Sequence, residues 1–174
     1  MGTGVLERVV IETGETGVEK EHLTRYRFAL PFCEGKNVAD MACGTGYGTE
    51  MLKRTAKSVV GYDVADFCGN RVLDLDKGWD EHFDLIVSFE TVEHLKDPKK
   101  FLENIRATSK ESIISIPLNE PEGVNPYHLH TFTREDAEEL VRSVFPEYAF
   151  LYQEGEVISE AAYPSFLIAY GKHQ

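Results

Sequence analysis

The sequence predicts an α/β protein with a seven-stranded, mostly parallel sheet whose last strand is antiparallel. Short apolar runs alternate with segments of helical periodicity, which is typical of parallel strands joined by crossover helices. The first apolar run ends in a turn with glycines at positions 44, 46 and 48. An acid, Asp63, follows the next run, 19 residues after Gly44. Because an acid after the second strand of such a sheet binds ribose hydroxyls, these observations indicate a nucleoside site at the carboxyl edge.

The individual elements follow from the same patterns. Strands are predicted over residues 38–42, 58–62, 71–75, 82–88, 112–116, 148–152 and 166–170, and the last two are expected to pair antiparallel. Helices are predicted over residues 19–32, 49–57, 99–107 and 134–144. Thr133 is placed to cap the last helix, with Asp136 three residues further on. Residues 1–20 are polar and dotted with glycine, and we expect an irregular lead-in there.

One connection is too short for its expected helix. Only ten residues separate Asp63 from Asp74, and they include a Cys-Gly-Asn turn signal at positions 68–70. A parallel crossover usually takes a dozen or more residues. The sequence therefore predicts that the second crossover helix is missing or cut to one turn. The third strand then forms an edge of the sheet with one face thinly covered. We expect this edge to be the surface for a homodimer or a protein partner, if the protein has one.

Length and composition restrict the class of protein. The 174 residues suffice for one domain with one core, and we assign residues 1–174 to a single domain. No apolar run approaches the ~20 residues that span a membrane, and the N-terminus lacks the pattern of a signal peptide. The three cysteines lack metal or disulfide spacing. We therefore expect a cytoplasmic protein without membrane contact, and the net charge of −12 argues against a nucleic-acid partner.

The glycine turn favours one kind of ligand. A dinucleotide fingerprint has the spacing G-x-G-x-x-G, whereas this turn has G-x-G-x-G. Asp40 lies at the end of the preceding strand, where its carboxylate would repel a pyrophosphate and attract an amino group. A nicotinamide-dependent oxidoreductase is therefore the less favoured reading of this turn.

Two motifs carry a resemblance to a known family. The stretch VADMACGTGYGT resembles the first motif of class I S-adenosylmethionine-dependent methyltransferases, with Ala42 where that family often has glycine. The fourth predicted strand, with FDLIVS followed by E-x-x-E-H-L from Glu90 to Leu95, resembles the same family at the expected distance. The resemblance covers roughly residues 20 to 145. It implies a Rossmann-like fold and S-adenosyl-L-methionine as the cofactor.

The resemblance also implies a set of cofactor-binding residues. Asp63 would bind the ribose, Asp74 (with Asp76 as the competitor) would lie beside the adenine amino group, and Arg25 would meet the methionine carboxylate. A surface role for Arg25 is the alternative. The full set comprises Arg25, Asp40, Ala42, Cys43, Gly44, Gly46, Asp63, Val64, Asp74, Leu75 and Phe89.

Catalytic candidates follow the fourth and fifth strands. They are Glu90, Glu93, His94 and His128, at the sheet edge where open α/β folds bind ligands. In some relatives, E-x-x-E-H and a later histidine hold a divalent metal, and that histidine would be His128 or His130 here. The same Glu-His-Leu triplet also occurs in relatives without a metal, where the glutamate caps the next helix and the histidine lines the acceptor pocket. We therefore do not favour a metal.

The acceptor is inferred from a weaker resemblance. EHLTRYRFA and NPYHLHTFT are similar to segments of methyltransferases associated with polysaccharide systems, which implies a hydroxyl of a small molecule or glycan as the acceptor. Two alternatives stay open. The chain could be a non-catalytic binding or activator subunit, or a metal-assisted RNA 2′-hydroxyl methyltransferase, although the net charge of −12 disfavours the latter.

Overall fold

The structure, a computed structural model, describes residues 16–121, 123–160 and 164–173. Its strands are β1 (Asn37–Met41), β2 (Ser58–Asp63), β3 (Arg71–Val72), β4 (Phe83–Phe89), β5 (Ser109–Pro117), β6 (Tyr148–Glu154), β7 (Val157–Ser159) and β8 (Phe166–Lys172). Its α-helices are α1 (Gly17–Ala29), α2 (Tyr47–Leu52), α3 (Pro98–Thr108) and α4 (Arg134–Val144). Short 3-10 turns cover Leu30–Cys33, Leu75–Lys77 and Val92–His94.

The strands form one sheet in the order β3-β2-β1-β4-β5-β8-β6-β7. Strands β1 to β5 pair in parallel, whereas β8 pairs antiparallel with both β5 and β6. The mostly parallel sheet with an antiparallel edge is confirmed. Because β1, β2, β4 and β5 run in the same direction, the loops that follow them meet at one edge of the sheet.

Within the residues that the structure describes, the sheet has eight strands rather than the seven predicted. The additional strand, β7, lies in a stretch that the sequence analysis treated as a linker between the last two strands. It pairs antiparallel with β6, from Glu154 opposite Val157 to Tyr152 opposite Ser159. A two-residue turn that starts with Gly155 at a φ of 56° reverses the chain, and glycine adopts that conformation without steric cost.

The connection between β2 and β3 contains no helix, as predicted. Its loop is held by its own side chains: Asn70 accepts a hydrogen bond from the Phe67 amide (2.8 Å) and donates one to the Ala65 carbonyl (2.9 Å). The predicted third strand over 71–75 is too long. It ends at Val72, and Leu75 lies in a 3-10 turn that the Asp74 carboxylate caps.

The boundaries of α1, α2 and α3 also differ from the prediction, by one residue at each end for α3 and by more for α1 and α2. Helix α1 begins at Gly17, because Thr16 and Glu19 form a capping box, so the end of the expected lead-in is helical. The rest of that lead-in, residues 1–15, lies outside the described residues. Helix α2 ends at Leu52 rather than at residue 57. Helix α4 has the predicted bounds and the predicted Thr133 cap.

Two hydrophobic layers enclose the sheet. Helices α1 and α2 cover Leu85 and Val87 of β4, whereas α3 and α4 cover Ile86 on the opposite face. This burial on both faces explains the near-continuous apolar run of the central strand. Within the described ranges, no helix has both the length and the apolar character needed to cross a membrane.

Candidate active site

A cleft of about 350 Å³ opens at the carboxyl edge of the sheet, over the ends of β1, β2 and β4. Most of the residues predicted for the site line it: Ala42, Cys43, Gly44, Asp63, Val64, Asp74, Leu75, Phe89, Glu90, His94 and His128. The other predicted residues, Arg25, Asp40, Gly46 and Glu93, do not belong to its lining. The structure therefore separates residues that can touch a ligand from residues that support the cleft.

The turn after β1 takes its shape from left-handed residues at alternate positions. Ala42, Gly44 and Gly46 have φ values of 60°, 56° and 80°. A Cβ atom on Gly46 would lie 2.5 Å from the Cys68 Sγ atom, so only glycine fits there. Ala42 occupies the position where the related family often has glycine, and its positive φ explains that preference. The turn is thus a tight, Cβ-poor surface on which a ligand can lie.

Asp63 links the end of β2 to this turn. The Gly44 amide donates to its Oδ2 atom (2.8 Å), and the Val64 amide donates to its Oδ1 atom (2.7 Å). Each carboxylate oxygen retains acceptor capacity after these bonds. The side chain is therefore held in place with an acceptor position left on each oxygen. Further along the cleft, Asp74 forms an ion pair with Lys77 (3.2 Å).

Asp40 lies beneath the turn and is fully buried. The Tyr26 hydroxyl donates to one of its oxygens (3.1 Å) and the Thr49 hydroxyl to the other (2.6 Å). Burial raises the pKa of Asp40 to about 7, although both hydrogen bonds oppose the shift. Its carboxyl group joins α1 to α2 under the turn and does not face the cleft.

Glu90, directly after β4, lines the cleft in a constrained conformation. Its φ is 49°, and its amide donates to the Ser115 hydroxyl (3.0 Å). The Arg25 guanidinium donates to its Oε1 atom, and the His22 Nε2 atom lies 3.1 Å from the same oxygen. Burial alone would raise the pKa of Glu90, but Arg25 and then His22 outweigh it and lower the pKa to about 2.

Arg25 is fully buried behind Glu90. Besides Glu90 it contacts Gln153, whose side-chain oxygen accepts a hydrogen bond of 2.8 Å. The guanidinium also lies 4.2 Å from the ring centre of Phe166. The structure thus places Arg25 among β4, β6 and β8 rather than in the cleft.

Glu93 is also fully buried. Among the described residues, no hydrogen-bond partner is present for either of its carboxylate oxygens. Burial, and then the charge of Glu90, raise its pKa well above the usual range. Its backbone carbonyl accepts hydrogen bonds from the Leu129 amide (2.8 Å) and the His130 amide (3.2 Å). The loop after β5 is therefore docked on the segment that carries Glu93.

His94 and His128 meet at the end of the cleft, with ring centres 4.7 Å apart. The His94 Nδ1 atom donates to the Tyr127 carbonyl (3.1 Å), which leaves the lone pair on Nε2. The His128 ring contacts Glu120 through Nδ1, while the Asn125 amide donates to Nε2 (3.0 Å). Of the two histidines considered for this position, His128 reaches His94.

His130 lies apart from this pair, and its Nε2 atom contacts the Leu95 carbonyl (2.9 Å). Glu93, His94 and His128 each offer a ligand atom, and these atoms lie within 4.8 Å of one another. Two imidazoles and a buried carboxylate without hydrogen bonds fit a divalent transition metal. Glu90, the other acid of the motif, is held by Arg25 and His22 instead.

The sequence analysis missed several residues of the cleft wall. They are His22, Tyr26, Tyr47, Phe67, Leu73, Thr91, Leu95 and Tyr127. A signal existed for two of them, because His22 and Tyr26 lie four residues apart on α1 and so share a face of that helix. For Tyr47, whose hydroxyl lies 2.8 Å from His22 Nδ1, the signal was its position between the glycines.

The fold and the cleft define a class of protein: an open α/β sheet with a glycine turn and a cluster of acids and histidines at its carboxyl edge. Residues 19–144 match the family described as methyltransferase domain. The chain belongs to this family, and the resemblance seen in its motifs is confirmed.

Known proteins extend this result. A probable S-adenosylmethionine-dependent methyltransferase of Mycolicibacterium smegmatis is 24% identical, over 71% of this chain and 57% of that protein. The crystal structure of the small RNA methyltransferase HEN1 superposes with a TM-score of 0.74 at 16% identity, over 97% of this chain and 27% of that one. The N-terminal domain of EvdMO1 with bound SAH superposes with a TM-score of 0.62 at 12% identity, over 92% of this chain and 82% of that one. The chain spans about half the length of the curated relatives that it matches.

Proposed function

We propose that this chain is an S-adenosylmethionine-dependent methyltransferase that methylates a hydroxyl group of a small molecule or glycan. The observation that carries the proposal is the arrangement of one continuous cleft. Asp63 lines it after β2, where we infer that the ribose binds, and Glu90, His94 and His128 line it beyond the turn after β1. Family membership and the SAH-bound neighbour support the same cofactor.

The strand order gives the direction of the cofactor. Because the sheet runs β3-β2-β1-β4, a ligand across its carboxyl edge places adenine near β3, with Asp74 and Leu75. The ribose would then lie at Asp63, after β2. The methionine part would lie over the turn after β1 and reach the end of β4. This direction would bring the reacting methyl group near Glu90 and His94.

The reaction is an in-line displacement. The acceptor oxygen forms a bond to the methyl carbon, the carbon–sulfur bond breaks, and its electron pair stays on sulfur as the sulfonium becomes a thioether. Because the donor is already activated, the protein contributes mainly by positioning the acceptor. The hydroxyl proton moves to Nε2 of His94, the ring nitrogen that carries the lone pair.

The charges of the cleft restrict the acceptor. Among the described residues that line it, acids and histidines are present, but no lysine or arginine. A phosphate or carboxylate on the acceptor would therefore meet Glu90 without a strong cation to bind it. This pattern supports an uncharged hydroxyl compound over RNA.

Calorimetric titration with S-adenosylmethionine and S-adenosylhomocysteine tests the proposal. Both are expected to bind the wild type. Asp63→Ala is expected to weaken both at least about 10-fold, because it removes charge-assisted hydrogen bonds to the ribose. Asp80→Ala, which removes an exposed acid outside the cleft, is the matched control. If a folded wild type binds neither compound, the chain is a partner subunit without a cofactor.

A second candidate is metal-assisted transfer, favoured by the grouping of Glu93, His94 and His128. A divalent ion held by these residues would lower the pKa of the acceptor hydroxyl. Titration with Mn²⁺ would then show one site in the wild type and none in Glu93→Gln. The control is Glu139→Gln, an exposed acid on α4. If the wild type does not bind Mn²⁺, His94 alone accepts the proton.

A further inference from the structure

We propose that Glu90 is the counter-ion of the cofactor's α-amino group. This inference rests on the proposed function and assigns a different residue to the role that the sequence analysis gave to Asp40. Glu90 was considered there only as a catalytic or metal-binding acid. Its position, its contacts and its backbone conformation all favour the new role.

The first argument is the state of the two carboxylate oxygens. Both Arg25 and His22 contact Oε1 of Glu90. Among the described residues, the hydrogen bond and ion pairs of the Glu90 carboxylate all go to Oε1, and no side chain bonds Oε2. Glu90 lines the cleft, and its side chain is 24% exposed. One oxygen is therefore fixed from behind while the other can accept a hydrogen bond from a ligand ammonium.

The second argument is position along the sheet. Glu90 follows β4, the neighbour of β1, on the side away from Asp63. A cofactor with its ribose at Asp63 and its body on the glycine turn brings its amino-acid end to this point. The same end of the cleft contains His22 and Tyr47. The amino group thus arrives where the carboxylate of Glu90 faces it.

The third argument is the backbone. Glu90 is a non-glycine residue at a φ of 49°. Such a conformation is strained for a residue with a Cβ atom and persists where surrounding contacts impose it, as at ligand sites. Here Ser115 holds the amide and Arg25 holds the carboxylate. The fold maintains a strained residue to direct this side chain toward the cleft.

The rival acid is excluded by its surroundings. Asp40 has no exposed surface, and Tyr26 and Thr49 donate to its two oxygens. A ligand amino group could reach it only by displacing the turn above it. Asp40 therefore supports the turn, and the ammonium has Glu90 as the acid within its reach.

The test compares S-adenosylhomocysteine with the analogue that lacks only the α-amino group. For the wild type, calorimetry is expected to show about 10- to 100-fold tighter binding of S-adenosylhomocysteine, the effect of one hydrogen bond between charged groups. In Glu90→Gln this ratio is expected to fall to within about threefold, mainly because S-adenosylhomocysteine binds more weakly. Affinity for the analogue is expected to change little.

The matched control is Glu50→Gln, which removes an equal charge from an exposed position on α2 and should leave the ratio unchanged. If the wild type binds S-adenosylhomocysteine and the analogue with nearly equal affinity, the proposal is overturned. This outcome needs no variant, so the test does not depend on whether Glu90→Gln folds. If the preference for S-adenosylhomocysteine over the analogue is lost in Asp40→Asn but kept in Glu90→Gln, Asp40 is the counter-ion of the amino group instead. If the wild type binds neither compound, it is the proposed function that fails.

Discussion

At the scale of single residues, the Tyr26 ring connects the glycine turn to the rest of the protein. Its hydroxyl donates to Asp40, and its ring packs edge-on against Tyr47 and Phe89. Gly48 lies directly beneath it: a Cβ atom there would be 2.0 Å from the ring carbon Cζ. The third glycine of the motif therefore serves helix packing rather than contact with the ligand.

Gly48→Ala is expected to lower the free energy of unfolding by about 1–3 kcal/mol, because the Tyr26 ring must shift and leave Asp40. Cofactor binding should weaken as well. The matched control is Gly17→Ala at the start of α1, where an added Cβ meets nothing within 4 Å. It should stabilise the protein by no more than about 1 kcal/mol. Urea denaturation measures both variants, and equal effects would contradict this account.

The sequence predicted which residues surround the cleft better than it predicted which ones face it. Motif spacing placed Asp63, Glu90 and His94 at the correct strand ends, because strand ends of a parallel sheet converge. The burial of Arg25 depends on Gln153, which is 128 positions away in the sequence. No local pattern reports a partner at that distance.

At the scale of elements, apolar runs identified the main strands because burial on one or both faces leaves a clear pattern. Strand β3 pairs through only two residues, and both are exposed. Strand β7 has three residues at the opposite edge of the sheet. Edge strands this short bury little surface, so neither the length of β3 nor the existence of β7 could be predicted from hydrophobicity.

The absent crossover helix was predictable for a different reason. The number of residues between Asp63 and Asp74 is too small for a crossover helix, because these residues cannot both form a helix and return to the sheet. The helix ends were predicted less well. Where a capping box was recognised, at Thr133, the boundary of α4 was correct, whereas the box of Thr16 and Glu19 was overlooked.

At the scale of the whole molecule, buried ionisable groups pull the pH dependence of stability in opposite directions. The pKa of Asp40 is raised to about 7, so its protonation favours the folded state as pH falls. His173 acts in the opposite sense. Burial and then the charge of Arg106 lower its pKa to about 4. The ring stacks on Phe145 with centres 4.6 Å apart, and its Nε2 atom lies 2.9 Å from the Ser112 hydroxyl.

The contribution of His173 can be isolated with His173→Gln. Because the pKa of His173 in the folded state lies below its unfolded value, the unfolded chain takes up the proton first as pH falls from about 6.5 toward 4. Between pH 7 and pH 5, the free energy of unfolding of the wild type should therefore fall by about 1–2 kcal/mol more than that of the variant. Asp40 affects both proteins equally and cancels in the comparison.

Urea denaturation across this range measures the difference, with His82→Gln, an exposed histidine, as the control. Parallel stability curves for the wild type and His173→Gln would show that the His173 ring takes up its proton equally well in the folded protein.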